Sequence, residues 1–277
     1  MSLATLKQVL DPALEHGYAV GGLVCLGWED MQAYTMAAED LNVPVILQAG
    51  PSCRAHTPLP VLGRMFRHLA EQARVPVVAH LDHGYELEEC RIAIDSGFTS
   101  VMFDGSRKSL SENIDLTGHV VEMARPHGVS VEGEIGFVGY DAGEGSRGTD
   151  PNEASEFARE SGIDAMAVSV GNVHLQQKRA TKIDRAALAK IEDGTSIPLV
   201  IHGGSGVQLQ DRVALARETA VCKFNIGTEL RMAFGAGLRA AIDADPARFD
   251  RVAILKETVA PVRDAAAQVL AAFGPKS

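Results

Sequence analysis

Eight short apolar runs are spaced along the chain, each rich in Val, Ile, Leu or Ala and each ending near Gly, Asp, Asn or His. Apolar residues are continuous within these runs rather than alternating with polar ones. This pattern is typical of strands buried on both faces of a parallel sheet. The predicted strands are Ala19–Leu26, Pro44–Ala49, Pro76–Leu81, Phe98–Phe103, Val129–Glu134, Asp164–Val170, Ile197–His202 and Val221–Ile226.

Helix-like segments separate these strands. Ser109–Arg125 begins Ser-Leu-Ser-Glu, which resembles a capping box, and Asp150–Ser161 has proline at its first helical position. The other predicted helices are Glu29–Asp40, Pro60–Gln72, Glu86–Asp95, Asp184–Glu192 and Gln208–Thr219. This alternation predicts an α/β fold of the (β/α)8 TIM barrel type. The structural alternative, a doubly wound open sheet, usually has fewer strands at this length.

The chain is predicted to be helical from the last strand to its end. Val259–Phe273 has a face rich in Ala, Val and Leu, which we expect to cover the barrel or to bind another subunit. We therefore predict a single (β/α)8 barrel domain over residues 1–277 with extra C-terminal helices, an extension that covers about 230–277.

Composition narrows the class of protein. The 277 residues include 26 Lys and Arg against 36 Asp and Glu, for a formal net charge of −10. This balance argues against binding to nucleic acid or to an anionic membrane, because a polyanion needs a basic footprint. The four cysteines form no Cys-x-x-Cys pair, and we find neither a signal-peptide pattern nor an apolar run that could span a membrane. We expect a soluble, cytoplasmic protein.

Three histidines fall at the carboxyl ends of predicted strands, where a barrel of this type carries its functional residues. They are His83, His174 and His202, and the barrel would bring them together near its axis. Three imidazoles with one coordination position left open are typical of a catalytic zinc site, and they also accept Co²⁺ or Mn²⁺. His80 either orients a ligand or is a buried core histidine.

Glycine-rich segments follow the last two predicted strands. Gly203-Gly204-Ser205-Gly206 and Asn225-Ile226-Gly227-Thr228 combine free backbone N–H groups, hydroxyls and a helix start, which together suit a phosphate. A metal beside a phosphate suits chemistry on a phosphorylated carbonyl compound. Asp82 is placed to exchange a proton with a substrate oxygen. Its alternative role is a helix N-cap or an orienting carboxylate.

Five motifs occur in order along the chain. They are His80-Leu81-Asp82-His83-Gly84, Asp104-Gly105-Ser106, Val131-Glu132-Gly133-Glu134-Ile135-Gly136, His202-Gly203-Gly204-Ser205-Gly206 and Asn225-Ile226-Gly227-Thr228-Glu229-Leu230. Together they resemble the class II, metal-dependent fructose-bisphosphate aldolases, with the tagatose-bisphosphate branch the most similar in length. The resemblance extends from about Leu6 to Phe273.

The resemblance implies a lyase of carbohydrate metabolism that reversibly cleaves a phosphorylated ketose, such as fructose- or tagatose-bisphosphate, to dihydroxyacetone phosphate and an aldehyde. It also implies a homodimer or homotetramer, and a monovalent cation, Na⁺ or K⁺, as a further cofactor. The site residues that it implies are the zinc ligands His83, His174 and His202, the proton-transfer residue Asp82, a second metal position at Asp104 and Glu134, and a dihydroxyacetone phosphate site at Gly203 to Ser205 and Asn225 to Thr228.

The sequence departs from the family pattern at the walls of the expected pocket. Leu23-Val24 stands where the family usually has Phe-Asn, and Leu175 follows the predicted ligand His174 where the family usually has glycine. Gln176-Gln177-Lys178 replaces the usual Tyr-Lys run. These changes leave the predicted metal ligands intact and predict a different sugar or aldehyde partner.

The glycine-dense, acidic segment Gly136–Gly148 predicts a mobile loop. It corresponds to the mobile loop of the resembling family, and either Asp141 or Glu144 is its candidate acid/base for the carbon-bound proton.

Two other functions stay open at this point. One is another metal-dependent lyase or hydrolase on the same barrel. A hydrolase of this fold usually has a His-x-His pair on its first strand, and the first predicted strand here has no histidine. The other is a non-catalytic or regulatory relative that binds a sugar phosphate, which the changed pocket walls motivate.

Overall fold

The computed structural model describes residues 2–141 and 143–275, in which parallel strands form one closed sheet. The strands are β1 (Leu3–Ala4), β2 (Val20–Val24), β3 (Val45–Ala49), β4 (Val77–Gly84), β5 (Ser100–Phe103), β6 (Ser130–Ile135), β7 (Ala165–Val168), β8 (Leu199–Ile201) and β9 (Val221–Ile226). Each strand from β2 to β9 pairs in parallel with the next, and β9 pairs with β2 to close an eight-stranded barrel. The predicted (β/α)8 fold is confirmed.

Helices surround this barrel. They are α1 (Leu6–His16), α2 (Trp28–Leu41), α3 (Pro51–His56), α4 (Leu59–Gln72), α5 (Leu87–Asp95), α6 (Leu110–Ala124), α7 (Pro151–Ser161), α8 (Arg185–Asp193), α9 (Leu209–Glu218), α10 (Thr228–Ala244) and α11 (Arg251–Phe273). The side chains of Ser109 and Asp150 cap α6 and α7, as their sequence signals predict. Within the described residues, no helix combines the length and the apolar character needed to cross a bilayer.

The N-terminal end of the barrel is closed by α1, which the sequence analysis did not predict. Its buried residues Leu6, Val9, Leu10 and Ala13 pack against the apolar side chains that fill the lower barrel interior. A capping box between Thr5 and Gln8 starts this helix. Because α1 fills this end of the barrel interior, the barrel axis is open to a ligand at the opposite, carboxyl end of the strands.

The C-terminal helix α11 packs on α2 and α10 and ends against the barrel. Phe273 is fully buried, its ring lies 5.0 Å from that of Phe224 on β9, and its carbonyl accepts a hydrogen bond from Ala19. Arg217 also donates to the carbonyl of Gly274, at 2.6 Å. The apolar face of this helix therefore covers the barrel, one of the two roles expected of it.

We expect Phe273→Ala to lower the free energy of unfolding by about 3–5 kcal/mol, because the truncation leaves a cavity between α11 and β9. Urea unfolding followed by circular dichroism measures this change. Phe249→Ala is the matched control: Phe249 is 95% exposed, so its loss should change the stability by less than about 0.5 kcal/mol. Equal effects of the two substitutions would contradict a structural role for the end of α11.

Candidate active site and metal centre

Three imidazoles meet at the carboxyl end of the barrel. His83 lies on β4, His174 in the loop after β7, and His202 directly after β8. One ring nitrogen from each lies within 4.8 Å of the other two. His83 Nε2, His174 Nε2 and His202 Nδ1 are all buried and have no hydrogen-bond partner. Buried nitrogens without partners are costly unless a ligand satisfies them, so these residues fit a divalent transition metal.

Asp104 orients the ring of His83. The carboxylate Oδ2 of Asp104 lies 2.7 Å from His83 Nδ1, and its Oδ1 accepts hydrogen bonds from both the backbone and the hydroxyl of Ser106. Although burial opposes ionisation, the His83 and Ser106 contacts hold the pKa of Asp104 well below its usual range. The ionised carboxylate accepts the Nδ1 proton of His83, which leaves Nε2 directed toward the other two histidines.

The three histidines differ in charge. Burial disfavours the cationic form of His83, but the carboxylates of Asp82 and Asp104 outweigh burial and raise its pKa to about 10. Burial and the adjacent His83 lower the pKa of His174 to about 4, and the same two causes bring that of His202 well below its usual value. His174 and His202 would therefore offer neutral rings to a metal, whereas His83 would have to release one proton to bind it.

Glu134 lies beneath the histidines on β6. Its Oε2 is buried without a hydrogen-bond partner, 3.4 Å from His202 Nδ1 and 3.7 Å from His83 Nδ1. Burial, with a further contribution from Asp104, raises the pKa of Glu134 to about 8. His83, Asp104 and Glu134 also offer atoms within 4.8 Å of one another, so they form a second candidate metal position.

Asp82 precedes His83 and faces the same cavity. Its Oδ1 accepts a hydrogen bond from Asn225 Nδ2 at 3.1 Å and lies 4.0 Å from His83 Nε2. Burial raises the pKa of Asp82, but the adjacent histidines, foremost His83, bring it below its usual value. Gly50 leaves room for the other oxygen, since a Cβ there would lie 3.2 Å from Asp82 Oδ2. Asp82 is therefore an ionised, fixed carboxylate beside the candidate metal.

Arg54 on α3 fixes the backbone that carries both residues. Its guanidinium donates to the carbonyls of Asp82 and His83, at 2.9 and 2.5 Å, and forms an ion pair with Glu89 at 2.9 Å. His83 has a φ of 54°, in the left-handed region that costs energy for a residue with a Cβ. Arg54 compensates this strain, and the sequence analysis missed it because neither α3 nor its contacts follow a periodic pattern.

The predicted phosphate residues lie on neighbouring turns after β8 and β9. Gly203, Ser205, Asn225, Gly227 and Thr228 line the cavity, and the hydroxyl of Ser205 accepts a hydrogen bond from the Gly227 N–H at 3.3 Å. Gly203 has a φ of 62°, and a Cβ there would approach the carbonyl oxygen of Val173 to 2.1 Å, so only glycine fits.

The other two predicted phosphate residues are placed differently. Gly204 and Ile226 are not among the residues that line the cavity, and the side chain of Ile226 is in the hydrophobic core. The amide of Asn225 serves Asp82, as described above. Gly227 begins α10 without a side-chain cap, which leaves the first N–H groups of that helix for an anion.

The loop after β6 lies over the site. The backbone of His174 bonds to Gly139 and Asp141 on this loop, and the ring of Tyr140 stacks on His174 at 5.1 Å. The structure places neither candidate acid/base in the cavity lining. Asp141 is exposed, and the exposed Glu144 forms an ion pair with Arg107 at 2.6 Å.

The cavity has a volume of about 240 Å³ and one arginine among its lining residues. This is Arg231 on α10, whose Nε is buried without a hydrogen-bond partner. Val24 and Leu175 contribute apolar walls, and Leu175 is held at a φ of 58°. Arg231 and Tyr140 were missed by sequence analysis. The basic residue three positions after Thr228, within the first turn of a helix, is the signal that could have indicated Arg231.

A parallel barrel with a histidine and carboxylate centre at its carboxyl end defines a TIM-barrel protein with a candidate metal site. The chain matches the family described as fructose-bisphosphate aldolase class-II over residues 4–277. It is 39% identical over 272 residues to a fructose-bisphosphate aldolase of Geobacillus stearothermophilus and 35% identical to one of Staphylococcus epidermidis. In both cases 96% of this chain and 93% of the relative are covered.

A solved structure agrees with these relatives. The crystal structure of the YdjI aldolase from Escherichia coli K12 superposes with a TM-score of 0.83 at 29% identity, covering 98% of this chain and 97% of that one. The chain belongs to the class II fructose-bisphosphate aldolase family. The resemblance to this family that the sequence motifs indicate is thereby confirmed. Aldolases are lyases, so the chain belongs to a family of lyases.

We expect Arg54→Met to lower the free energy of unfolding by about 2 kcal/mol, because it removes charged hydrogen bonds to two buried carbonyls and leaves Glu89 unpaired. It should also weaken metal binding, since the strained backbone of His83 loses the hydrogen bonds from Arg54 that hold it in place. Thermal unfolding and metal titration check both effects.

Arg91→Met is the matched control for this substitution. Arg91 forms exposed ion pairs with Glu88 and Asp95 on α5, so its loss should change stability by less than about 0.5 kcal/mol and leave metal binding as it was. Unchanged metal affinity in Arg54→Met would show that the contacts of Arg54 to the backbone of Asp82 and His83 do not contribute to metal binding.

Proposed function

We propose that the protein is a class II aldolase that reversibly cleaves a phosphorylated ketose, of the fructose- or tagatose-bisphosphate kind, to dihydroxyacetone phosphate and an aldehyde. The observation that carries this proposal is the set of three buried imidazole nitrogens without partners, beside the ionised Asp82. Family membership supports it. A non-catalytic binding protein would have no use for both the histidine triad and this carboxylate.

His83, His174 and His202 would hold Zn²⁺, with Co²⁺ or Mn²⁺ as alternatives that imidazole ligands also accept. When bound, such a cation polarises the substrate carbonyl and stabilises negative charge on its oxygen. Asp104 and Glu134 offer the second metal position. A monovalent cation, Na⁺ or K⁺, is added to the proposal from the family resemblance alone.

Asp82 would perform the proton transfer of the cleavage step. In this direction the hydroxyl that becomes the aldehyde oxygen gives its proton to the Asp82 carboxylate as the carbon–carbon bond breaks. Asn225 holds Asp82 through Oδ1, which leaves Oδ2 available to the substrate hydroxyl. Asp82 is ionised before the reaction, which suits a base.

The two ends of the substrate would meet different surfaces. The turns with Gly203, Ser205 and Gly227 and the start of α10 offer N–H groups and hydroxyls to the dihydroxyacetone phosphate end. Arg231 would receive the other anionic group, because it lines the cavity, its Nε has no hydrogen-bond partner, and it forms no ion pair among the described residues. This arrangement favours a substrate with an anion at each end.

For the carbon-bound proton, Asp141 and Glu144 both stay candidates. Either requires the loop after β6 to move, since Glu144 is paired with Arg107 and Asp141 is exposed. We further propose a single-domain, cytoplasmic protein that assembles as a homodimer or homotetramer and binds neither nucleic acid nor membrane. The cysteines Cys25, Cys53, Cys90 and Cys222 are free thiols, as suits a reducing compartment.

Removal of the metal with a chelator should abolish release of dihydroxyacetone phosphate from ketose bisphosphates, and Zn²⁺ should restore it. Asp82→Asn keeps the volume and the contact to Asn225, so it should retain metal while kcat falls about 10²–10⁴-fold. His83→Ala should lose both metal and activity. A coupled assay for the triose phosphate, with metal content measured on the same samples, checks all three. Cleavage that persists without metal would refute the proposal.

Arg231→Met should lower kcat/KM for ketose bisphosphates about 10–100-fold, mainly through KM, because a charge-assisted contact to the substrate is lost. Cleavage of a ketose with phosphate only on its dihydroxyacetone end should change much less. Arg239→Met, an exposed position further along the same helix, is the control and should behave like the wild type. If kcat/KM fell equally for both substrates, Arg231 would not bind the phosphate at the aldehyde end of the ketose bisphosphate.

A further inference from the structure

A chain of polar contacts extends through the barrel interior below the histidine triad. His202 Nε2 lies 3.0 Å from Glu132 Oε1, and the other oxygen of Glu132 lies 2.6 Å from Lys223 Nζ. Lys223 Nζ also lies 3.3 Å from His80 Nε2, whose Nδ1 lies 2.8 Å from Ser100 Oγ. All five side chains are fully buried, and they come from five different strands or strand ends. No step of the proposed reaction uses Glu132, Lys223 or His80.

The direction of each hydrogen bond in this chain follows from its charges. Lys223 has protons to donate and no lone pair, so it donates to Glu132 and to His80 Nε2. His80 must then carry its proton on Nδ1 and donate to Ser100. Glu132 accepts from Lys223 through Oε2, at 2.6 Å, and a carboxylate paired with a lysine in this way offers only acceptor oxygens, so His202 donates its Nε2 proton to Oε1. The remaining lone pair of the neutral His202 ring is on Nδ1, the atom that faces the other two histidines.

We propose that Glu132 is a positioning residue that selects the tautomer of His202 and thereby its metal-binding nitrogen, and that Lys223 keeps Glu132 in the accepting state this requires. The inference rests on the proposed metal site. Glu132 and Asp104 then have the same role on two rings, with opposite outcomes: Asp104 takes the Nδ1 proton of His83 and leaves Nε2, whereas Glu132 takes the Nε2 proton of His202 and leaves Nδ1.

Geometry favours this role over a purely structural one. The acceptor at His202 Nε2 is closer than the other carboxylate near the ring, since Glu134 Oε2 lies 3.4 Å from Nδ1. A buried lysine–glutamate pair is weak evidence for stability, because apolar residues of similar volume often do as well. A requirement that one specific ring nitrogen stay free explains why charged groups occupy this part of the barrel.

Glu132→Gln separates the two roles. The single amide oxygen will accept from Lys223, so the NH₂ group faces His202 Nε2 and forces the ring proton onto Nδ1. We expect the dissociation constant for Zn²⁺, measured by competition with a chromophoric chelator, to rise about 10–100-fold. In Glu132→Gln/Lys223→Met the amide oxygen is free to accept from His202, so the affinity should recover much of the loss.

The ring tautomer gives a readout independent of activity. In the metal-free wild-type protein, ¹⁵N spectra of labelled histidines should show a neutral His202 ring with its proton on Nε2, so that Nδ1 is free for zinc. This measurement needs no variant, so it decides the question even if Glu132→Gln fails to fold. A proton on Nδ1 of the neutral His202 ring in the metal-free protein would overturn the proposal.

Thr258→Val is the control for general destabilisation. Thr258 is a fully buried hydroxyl on α11, bonded to the carbonyl of Leu255, and it should lose stability without a change in Zn²⁺ affinity. A Glu132→Gln protein that binds Zn²⁺ within twofold of the wild type, or a double variant that binds no better than the single one, would contradict the inference. A protein that shows all the expected zinc effects yet cleaves no ketose phosphate would refute only the proposed function.

Discussion

The site depends on lone pairs held in fixed directions in a buried part of the barrel. His83, His174 and His202 each present one ring nitrogen to the same small space, and none of these atoms has a partner in the protein. Such an arrangement is unfavourable without a ligand, because buried polar atoms lose their hydration and gain nothing in return. The carboxylates of Asp104 and Glu132 hold the rings from behind, so that the lone pairs stay directed inward.

The barrel stabilises this unfavourable arrangement because the residues that form it are distributed over many strands. The triad, Asp82 and the carboxylates beside them come from β4, β6 and the ends of β5, β7 and β8. Adjacent parallel strands fix the relative heights of their ends, so side chains far apart in sequence keep their distances without local flexibility. Closure of the opposite end by α1 keeps water from the buried charges below the site.

Periodicity and strand ends were sufficient to predict the barrel and to place the triad. Eight strands and their intervening helices follow from apolar runs and caps, and His83, His174 and His202 follow from the rule that barrel strands carry function at their carboxyl ends. Arg54 could not be found in this way, because its role depends on contacts from α3 to the carbonyls of Asp82 and His83 on β4. Such contacts leave no periodic signal in the sequence.

The same limit applies to roles within the site. Sequence alone left His80 as either an orienting residue or a core histidine, and only the contacts to Ser100 and Lys223 show it to be a buried member of the interior chain. Asp141 and Glu144 share a glycine-rich loop, and glycines allow so many backbone conformations that the sequence does not predict where either side chain lies. The structure pairs Glu144 with Arg107, which shows what must be broken for it to act.

The charges around the triad explain how one small cavity holds both a base and a metal. Without a cation, Asp82 and Asp104 stabilise a proton on His83, whose pKa is raised to about 10, so this ring is the local counter-charge. If the three rings held a divalent cation, this proton would be displaced and more positive charge would lie near Asp82, which would favour the ionised form of Asp82 further. A bound cation would therefore lower the pKa of Asp82. It would keep Asp82 ionised, but it would also make Asp82 a weaker base.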